Sequence, residues 1–160
     1  MRNTTLCYLE KDNKYLMLYR NKKENDVNAG KWVGIGGGFE PKESPEECAK
    51  REIYEETGLI AEKLSLRGII TFDNDMNETE CMFLFTTKNF KGDLKENCNE
   101  GELAWINKNE ILSLNLWEGD KFFLELISKD SPFFSMKLSY SSDKLMNVIL
   151  NGEVIYNCSI

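Results

Sequence analysis

The 160-residue chain contains no histidine. This removes a large part of enzyme chemistry, because no His-based triad, His-ligated zinc site or histidine phosphotransfer can be built from the chain alone. A general base must be a carboxylate, a lysine, a tyrosine or a thiol. Cysteine is sparse: the five residues Cys7, Cys48, Cys81, Cys98 and Cys158 are an odd number and form no Cys-x-x-Cys pair. Reduced, mostly buried thiols in a cytoplasmic protein are expected. No apolar run approaches the roughly 18 residues of a membrane span. The opening Met1-Arg2-Asn3-Thr4-Thr5-Leu6-Cys7 lacks the apolar core of a secretion signal. Basic residues are outnumbered 20 to 27, giving a formal charge of −7, which argues against a grip on a nucleic-acid polymer. The pair Lys22-Lys23 is too small to reverse that and is expected in a solvated loop.

The length fits one domain over residues 1–160, and no repeat, low-complexity tract or linker divides it. Strands are expected at 4–11 and 14–20, joined by a turn at Asp12-Asn13. Polar residues 21–31 are expected to form a loop reaching the substrate. Further strands are expected at 64–73, 79–88 and 103–106, with a polar stretch at 89–100 and a helical turn at 108–113. Residues 118–128 carry Phe122, Phe123, Leu126 and Ile127 at helical spacing, a stripe expected in the core. The end reads as strands 133–140, 144–150 and 153–156, with a tight turn at Asn151-Gly152. Strands interspersed with helices indicate an α/β (α+β) sandwich.

Between lies the most informative stretch. Ser44, Pro45 and Glu47 form a capping box with proline in the first helical position, and Gly58 suits a left-handed C-terminal cap. A helix over 45–57 follows. Glu52, Glu55 and Glu56, spaced i, i+3, i+4, then share a face, with Ala49 and Ile53 on an adjacent apolar stripe. Three carboxylates on one face cost roughly 0.2–0.5 kcal/mol per like-charge pair, which a solvated surface can absorb. Here, however, the cluster follows the glycine-rich loop Gly34-Ile35-Gly36-Gly37-Gly38, which lets backbone approach a ligand closely. Hard oxygen donors beside such a loop suit Mg²⁺ or Mn²⁺ bridging to phosphate. In an acidic chain the cation is also needed to reverse the local field before a polyphosphate can enter. Arg51 can orient one carboxylate through a bidentate pair, or serve as an ordinary salt bridge.

Residues 37–59 read Gly37-x5-Glu43-x7-Arg51-Glu52-Ile53-x-Glu55-Glu56-x-Gly58-Leu59. A chance match of this kind in such a chain has odds on the order of 10⁻⁸ to 10⁻⁷. The pattern resembles the signature of the Nudix hydrolases, with every position filled. The resemblance implies the α/β/α sandwich of that family, with a mixed sheet, and hydrolysis of nucleoside diphosphates linked to another group. It implies metal ligands at Glu52, Glu55, Glu56 and the Gly36 carbonyl, with Glu52 as ligand or base. The segments Gly30-Lys31-Trp32-Val33-Gly34, Asn99-Glu100-Gly101-Glu102-Leu103-Ala104-Trp105 and Leu116-Trp117-Glu118-Gly119-Asp120 resemble MutT-type oxidised-purine nucleoside triphosphatases. That likeness adds Glu100, or alternatively Glu102, to the metal site. It makes Trp117 and Asp120 a base-binding pair and Trp32, Gly37 and Gly38 substrate neighbours.

Trp117 can equally be a packed aromatic at a helix start, Trp32 a loop anchor, and Trp105 a core residue. Phe72, Asp73 and Phe83 are further candidates for the pocket wall. Three departures bear on the substrate: Val33 stands where a relative has a base-binding asparagine, Gly38 where a lysine is common, and Gly119 where an acidic partner of Asp120 is expected. The expected activity is Mg²⁺-dependent cleavage of a nucleoside triphosphate, such as 8-oxo-dGTP, to a monophosphate and pyrophosphate. ADP-ribose or another nucleoside diphosphate derivative is the alternative, and a non-catalytic nucleotide-binding module a third. The partner is a small nucleotide, with neither nucleic-acid polymer nor membrane, and the protein is a monomer or homodimer.

Overall fold

The computed structural model describes residues 1–158. Strand β1 (Arg2–Lys11) turns into β2 (Lys14–Tyr19) through Asp12 and Asn13, both with left-handed backbone (φ 51° and 61°). The two strands pair only at Glu10↔Tyr15 and Lys11↔Lys14 and then part. From there β1 continues beside β6 (Glu80–Lys91) on one edge, in parallel, and beside β4 (Ile35–Gly38) on the other, antiparallel. Strand β2 pairs with β3 (Trp32–Val33) and β7 (Glu102–Asn107). Beyond β6 the sheet runs on through β5 (Ile60–Asn74), β8 (Phe134–Ser141), β9 (Lys144–Leu150) and β10 (Glu153–Asn157). It mixes parallel and antiparallel pairs, as expected.

Side chains alternate across β1 and β2 and build two cores. Cys7, Leu9, Leu16 and Leu18 face Ala49 and Ile53 of helix α1 (Pro45–Thr57). Tyr8, Tyr15 and Met17 face Phe123, Leu124 and Ile127 of helix α2 (Asp120–Ser128). The result is the α/β/α sandwich. Phe123 and Ile127 are core residues as the stripe required, while Phe122 and Leu126 are half-buried against the same core. Trp105 packs half-buried, stacked on Phe90 with ring centroids 5.9 Å apart.

Two expectations need correction. The glycine-rich segment is not a loop: residues 35–38 form β4, in register with β1 from Thr4↔Gly38 to Cys7↔Ile35. Glycine's weak strand preference is overridden because β1 presents a backbone edge to pair with. β5 begins earlier, and both β5 and β6 end later, than alternation suggests; β5 carries three bulges that break the period of two between Ala61 and Gly68. The helical turn expected at 108–113 is there, as a 3₁₀ helix over Lys108–Ser113. Among the described residues no helix is long and apolar enough to cross a membrane.

Candidate active site

Local capping sets the angular phase of α1. The Ser44 hydroxyl accepts the Glu47 N–H and the Glu47 carboxylate accepts the Ser44 N–H, each at 3.1 Å. At the other end Gly58 adopts a left-handed conformation and donates its N–H to the Tyr54 carbonyl. With Ala49 and Ile53 buried, Glu56 is carried inward to 6% exposure. There its carboxylate accepts the N–H of Gly36 at 3.2 Å. One residue on, a Cβ at position 37 would stand 2.5 Å from a Glu52 carboxylate oxygen. Only glycine lets that carboxylate lie against the strand.

Arg51 organises the outer rim. It forms a two-pronged pair with Glu43 (2.5 and 3.1 Å), and reaches Glu52 (2.9 Å), Glu55 (3.2 Å) and the Gly38 carbonyl (3.0 Å). These bonds hold the Glu43 carboxyl down at about 2 and raise the guanidinium further above its usual value. The bidentate partner is thus Glu43, with Glu52 oriented by a single bond.

The third carboxylate arrives from far along the chain. Glu100 lies in the turn closed by the Cys98↔Gly101 bridge. It accepts bonds from Arg20 (2.9 Å) and Lys23 (3.0 Å) and stands near enough to Glu56 to act on its carboxyl. Burial and then Glu100 push the Glu56 carboxyl well up. Glu52 is also raised, chiefly by burial, with Glu55 and Glu100 adding to it. Among the described residues no three acidic or thiol side chains converge into a ready-made metal cage. The donor set nonetheless fits a hard divalent cation: it is all oxygen, with Glu52 lying against the Gly37 backbone and Glu56 against that of Gly36.

Glu52, Glu100, Gly36, Gly37 and Gly38 line a cavity of about 630 Å³, within the range of small-ligand sites. Trp117, Phe72 and Asp120 line the same cavity. Trp117 donates its indole N–H to the Asn28 side chain at 2.7 Å and packs edge-on against Phe72 and Tyr140. Lys31 lies over the Trp117 ring. Asp120 lies there at 7% exposure, its carboxyl pushed up to about 7 by burial and moderated by Lys31. Gly119 has no room for a side chain: a Cβ would stand 2.7 Å from the Tyr140 hydroxyl and 2.8 Å from a Leu138 methyl. That hydroxyl accepts the Gly119 N–H at 2.7 Å.

Of the residues expected from sequence, Gly36, Gly37, Gly38, Glu52, Glu100, Trp117 and Asp120 line the cavity, and Glu56 meets them through Gly36 and Glu100. Glu55, Arg51 and Trp32 do not line it. Glu55 is 55% exposed and bonded to Arg51, so the shared helix face divides between cavity and rim. Trp32 lies in β3 and packs at a tilt against Tyr19, ring centroids 5.0 Å apart. Glu102 is exposed on β7, which leaves Glu100 as the acidic residue of that segment near the cluster. Phe72 lines the cavity, whereas Phe83 packs against Phe39 in the other layer. Asp73 does not line it.

Lys23 is not simply in a solvated loop: it reaches Glu100, and the 21–31 loop lines the cavity through Lys23, Asp26, Val27 and Asn28. Arg20 and Tyr140 went unrecognised. Nothing in their local sequence marks them, because their partners lie 80 and 21 residues away.

A NUDIX domain profile matches residues 1–127. The chain is 30% identical over 147 residues to "Uncharacterized Nudix hydrolase YvcI" of Bacillus subtilis, covering 89% of both chains. It is 32% identical over 113 residues to the "Oxidized purine nucleoside triphosphate hydrolase" of Danio rerio, covering 69% of this chain and 71% of that one. The crystal structure of a MutT protein from Bacillus halodurans superposes with a TM-score of 0.85 at 27% identity, over 96% of this chain and 99% of that one.

Proposed function

The chain belongs to the NUDIX family and is a hydrolase of phosphoric anhydride bonds, and we propose that its substrate is a purine nucleoside triphosphate, with an oxidised base such as that of 8-oxo-dGTP. The products are the nucleoside monophosphate and pyrophosphate. The observation that carries this reading is the mixed lining of one cavity, which joins carboxylates and glycine backbone with Trp117, Phe72 and Asp120. A nucleotide has the same division, an anionic chain joined to a flat, polar-edged ring. The Trp117 and Phe72 rings supply surfaces for the base. Asp120, titrating near 7, presents either a donor or an acceptor to a base edge.

The residues that would hold Mg²⁺ or Mn²⁺ are Glu52, Glu56, Glu100 and the Gly36 carbonyl, with Glu55 adding charge from the rim. When bound, the cation lowers the pKa of a water and stabilises charge on the phosphoryl oxygens. Glu52, raised by burial, is then either a further ligand or the acceptor of that water's proton. Arg51 fixes where Glu52 stands. The β4 backbone from Gly36 to Gly38 offers a flat approach for the phosphates. We assign the whole of residues 1–160 to one such domain, working on small nucleotides in the cytoplasm.

The test is turnover of a panel containing 8-oxo-dGTP, dGTP, dATP and ADP-ribose with Mg²⁺, alongside Glu56→Gln. The oxidised purine triphosphate is expected to be used best and the variant to be inactive. Preference for ADP-ribose would replace the substrate assignment. A Glu56→Gln variant as active as wild type would overturn the site itself.

A further inference from the structure

Asn28 is half-buried and lines the cavity with Val33, Trp117 and Asp120. Its backbone is pinned by its own loop. The Asn28 N–H donates to the Asp26 carboxylate at 3.0 Å, and that carboxylate is held by the Arg20 guanidinium at 2.8 Å. The Asn28 carbonyl accepts the Lys31 N–H at 2.9 Å. The side chain is pinned as well, since its oxygen accepts the Trp117 indole N–H at 2.7 Å.

That last bond fixes which way the carboxamide points. The oxygen and nitrogen of an amide can exchange places, but an indole N–H only donates. The Asn28 oxygen must therefore face Trp117, and the NH₂ is turned away from it. Among the described residues this NH₂ donates to none. The buried side-chain polar atoms left without a partner among those residues are the Tyr8 hydroxyl and an Asn147 oxygen, so the Asn28 NH₂ is an accessible donor.

Asp120 flanks the same tryptophan, its backbone N–H donating to the Trp117 carbonyl at 3.0 Å. Its carboxyl can present a donor or an acceptor, so it does not by itself choose between base edges. Val33 adds no polar side-chain atom. A donor-only group of fixed orientation does choose, because an edge that offers it another donor leaves both unpaired. A guanine-type base carries a carbonyl oxygen at ring position 6, whereas an adenine-type base carries an NH₂ there.

We infer that Asn28 is a specificity-determining residue: its NH₂, aimed by Trp117, donates to a ring carbonyl and so selects 6-oxopurine over 6-aminopurine nucleotides. This rests on the functional reading above for the presence of a purine.

Calorimetric binding of the monophosphates dGMP, dIMP and dAMP to the full chain, with Mg²⁺ present, tests the selection apart from turnover. The base of dIMP keeps the carbonyl and lacks the 2-amino group, so it isolates position 6. Wild type is expected to bind dGMP and dIMP roughly tenfold more tightly than dAMP, the scale of one hydrogen bond. Asn28→Asp keeps an oxygen for the Trp117 N–H and replaces the NH₂ with a second acceptor. It is expected to bring the dIMP-to-dAMP preference to one or below, with the Trp117 indole N–H resonance near its wild-type position. Asn28→Ala lacks both groups and is expected to lose the preference and to move that resonance.

Equal affinity of wild type for dIMP and dAMP, or binding of none of the three, would overturn the assignment. So would an Asn28→Asp variant that retains the wild-type preference, since a mere prop for Trp117 predicts no change in it. A preference for ADP-ribose in the turnover panel would replace the triphosphate substrate, while the dIMP-to-dAMP comparison still decides the role of Asn28.

Discussion

Asp120 should make the protein less stable as the pH rises towards neutrality, and its amide should remove that loss. The carboxyl is 7% exposed, and burial lifts it from its ordinary 3.8 to about 7. Below pH 4 both folded and unfolded chains carry the proton, so the group is neutral in its effect. Between about 4 and 7 the unfolded chain loses the proton while the folded chain keeps it, and stability falls with rising pH. Above about 7 both are ionised and the penalty is fully expressed. The interval corresponds to about 4 kcal/mol at most, using about 1.4 kcal/mol per pH unit.

Tyr8 and Tyr140, the other titrating groups acting near Asp120, are both pushed above their ordinary value of 10 and stay neutral through this window. Lys31 works against the rise. Urea denaturation of wild type and Asp120→Asn at pH 5, 6, 7 and 8.5 isolates the group, because every other titration cancels in the difference. The amide matches the neutral carboxyl in shape, so the two proteins should be close at pH 5 and diverge in favour of Asp120→Asn by a few kcal/mol at pH 8.5. A difference that stays constant across the range, or a variant less stable than wild type at pH 8.5, would refute the reasoning.

Other outcomes follow from single contacts. Ser44→Ala removes the N-cap of α1 and should cost about 1 kcal/mol in denaturant unfolding, since the Glu47 N–H loses its partner. Gly37→Ala drives a methyl into the Glu52 carboxylate and should lower kcat roughly a hundredfold. A melting temperature within a few degrees of wild type would separate that from unfolding. Removing divalent ions with a chelator should abolish turnover, and Mg²⁺ or Mn²⁺ should restore it. Turnover that survives chelation would exclude the carboxylate cluster as a metal site. Phe123→Ala, at a fully buried position between the sheet and α2, should cost about 3–5 kcal/mol by calorimetry or denaturant.

What the sequence discloses is what is decided locally. Helix α1 begins and ends where Ser44, Pro45 and Gly58 require, because a cap is settled by residues three or four apart. The hairpin turn at Asp12 and Asn13 is legible for the same reason. Strand β4 is not, since glycines carry no side-chain pattern and its formation is decided by the exposed edge of β1, some thirty residues earlier. The ends of β5 and β6 are hidden by bulges that shift the alternation. Within the site, Glu52 and Glu56 are legible from helix phase, but the turning of Glu55 towards Arg51 depends on where Glu43 fixes that guanidinium. Lys23 and Tyr140 act on partners that only the folded sheet brings near.

The position of the cavity follows from the way β1 divides its partners. One edge is occupied by β6 along residues 2–9. The opposite edge is shared, by β4 against residues 4–7 and by β2 against only residues 10 and 11. The chain passes from β3, which belongs with β2, to β4, which belongs with β1, across the single residue Gly34. Two sheets that meet at one corner and part elsewhere leave a cleft, and Val33, Gly34 and Gly36 line it. Along that cleft the N–H of Gly36 bonds to a carboxylate, Glu56. That N–H gives the carboxylate a partner at the place to which the phase of α1 has carried it. Once there, Glu56 is desolvated beside Glu52 and Glu100, which sets up the demand for positive charge that Arg20, Lys23 and a divalent cation can each answer. The acidic motif is thus effective because a split sheet supplies both a donor for one carboxylate and a cleft for the ligand beside it.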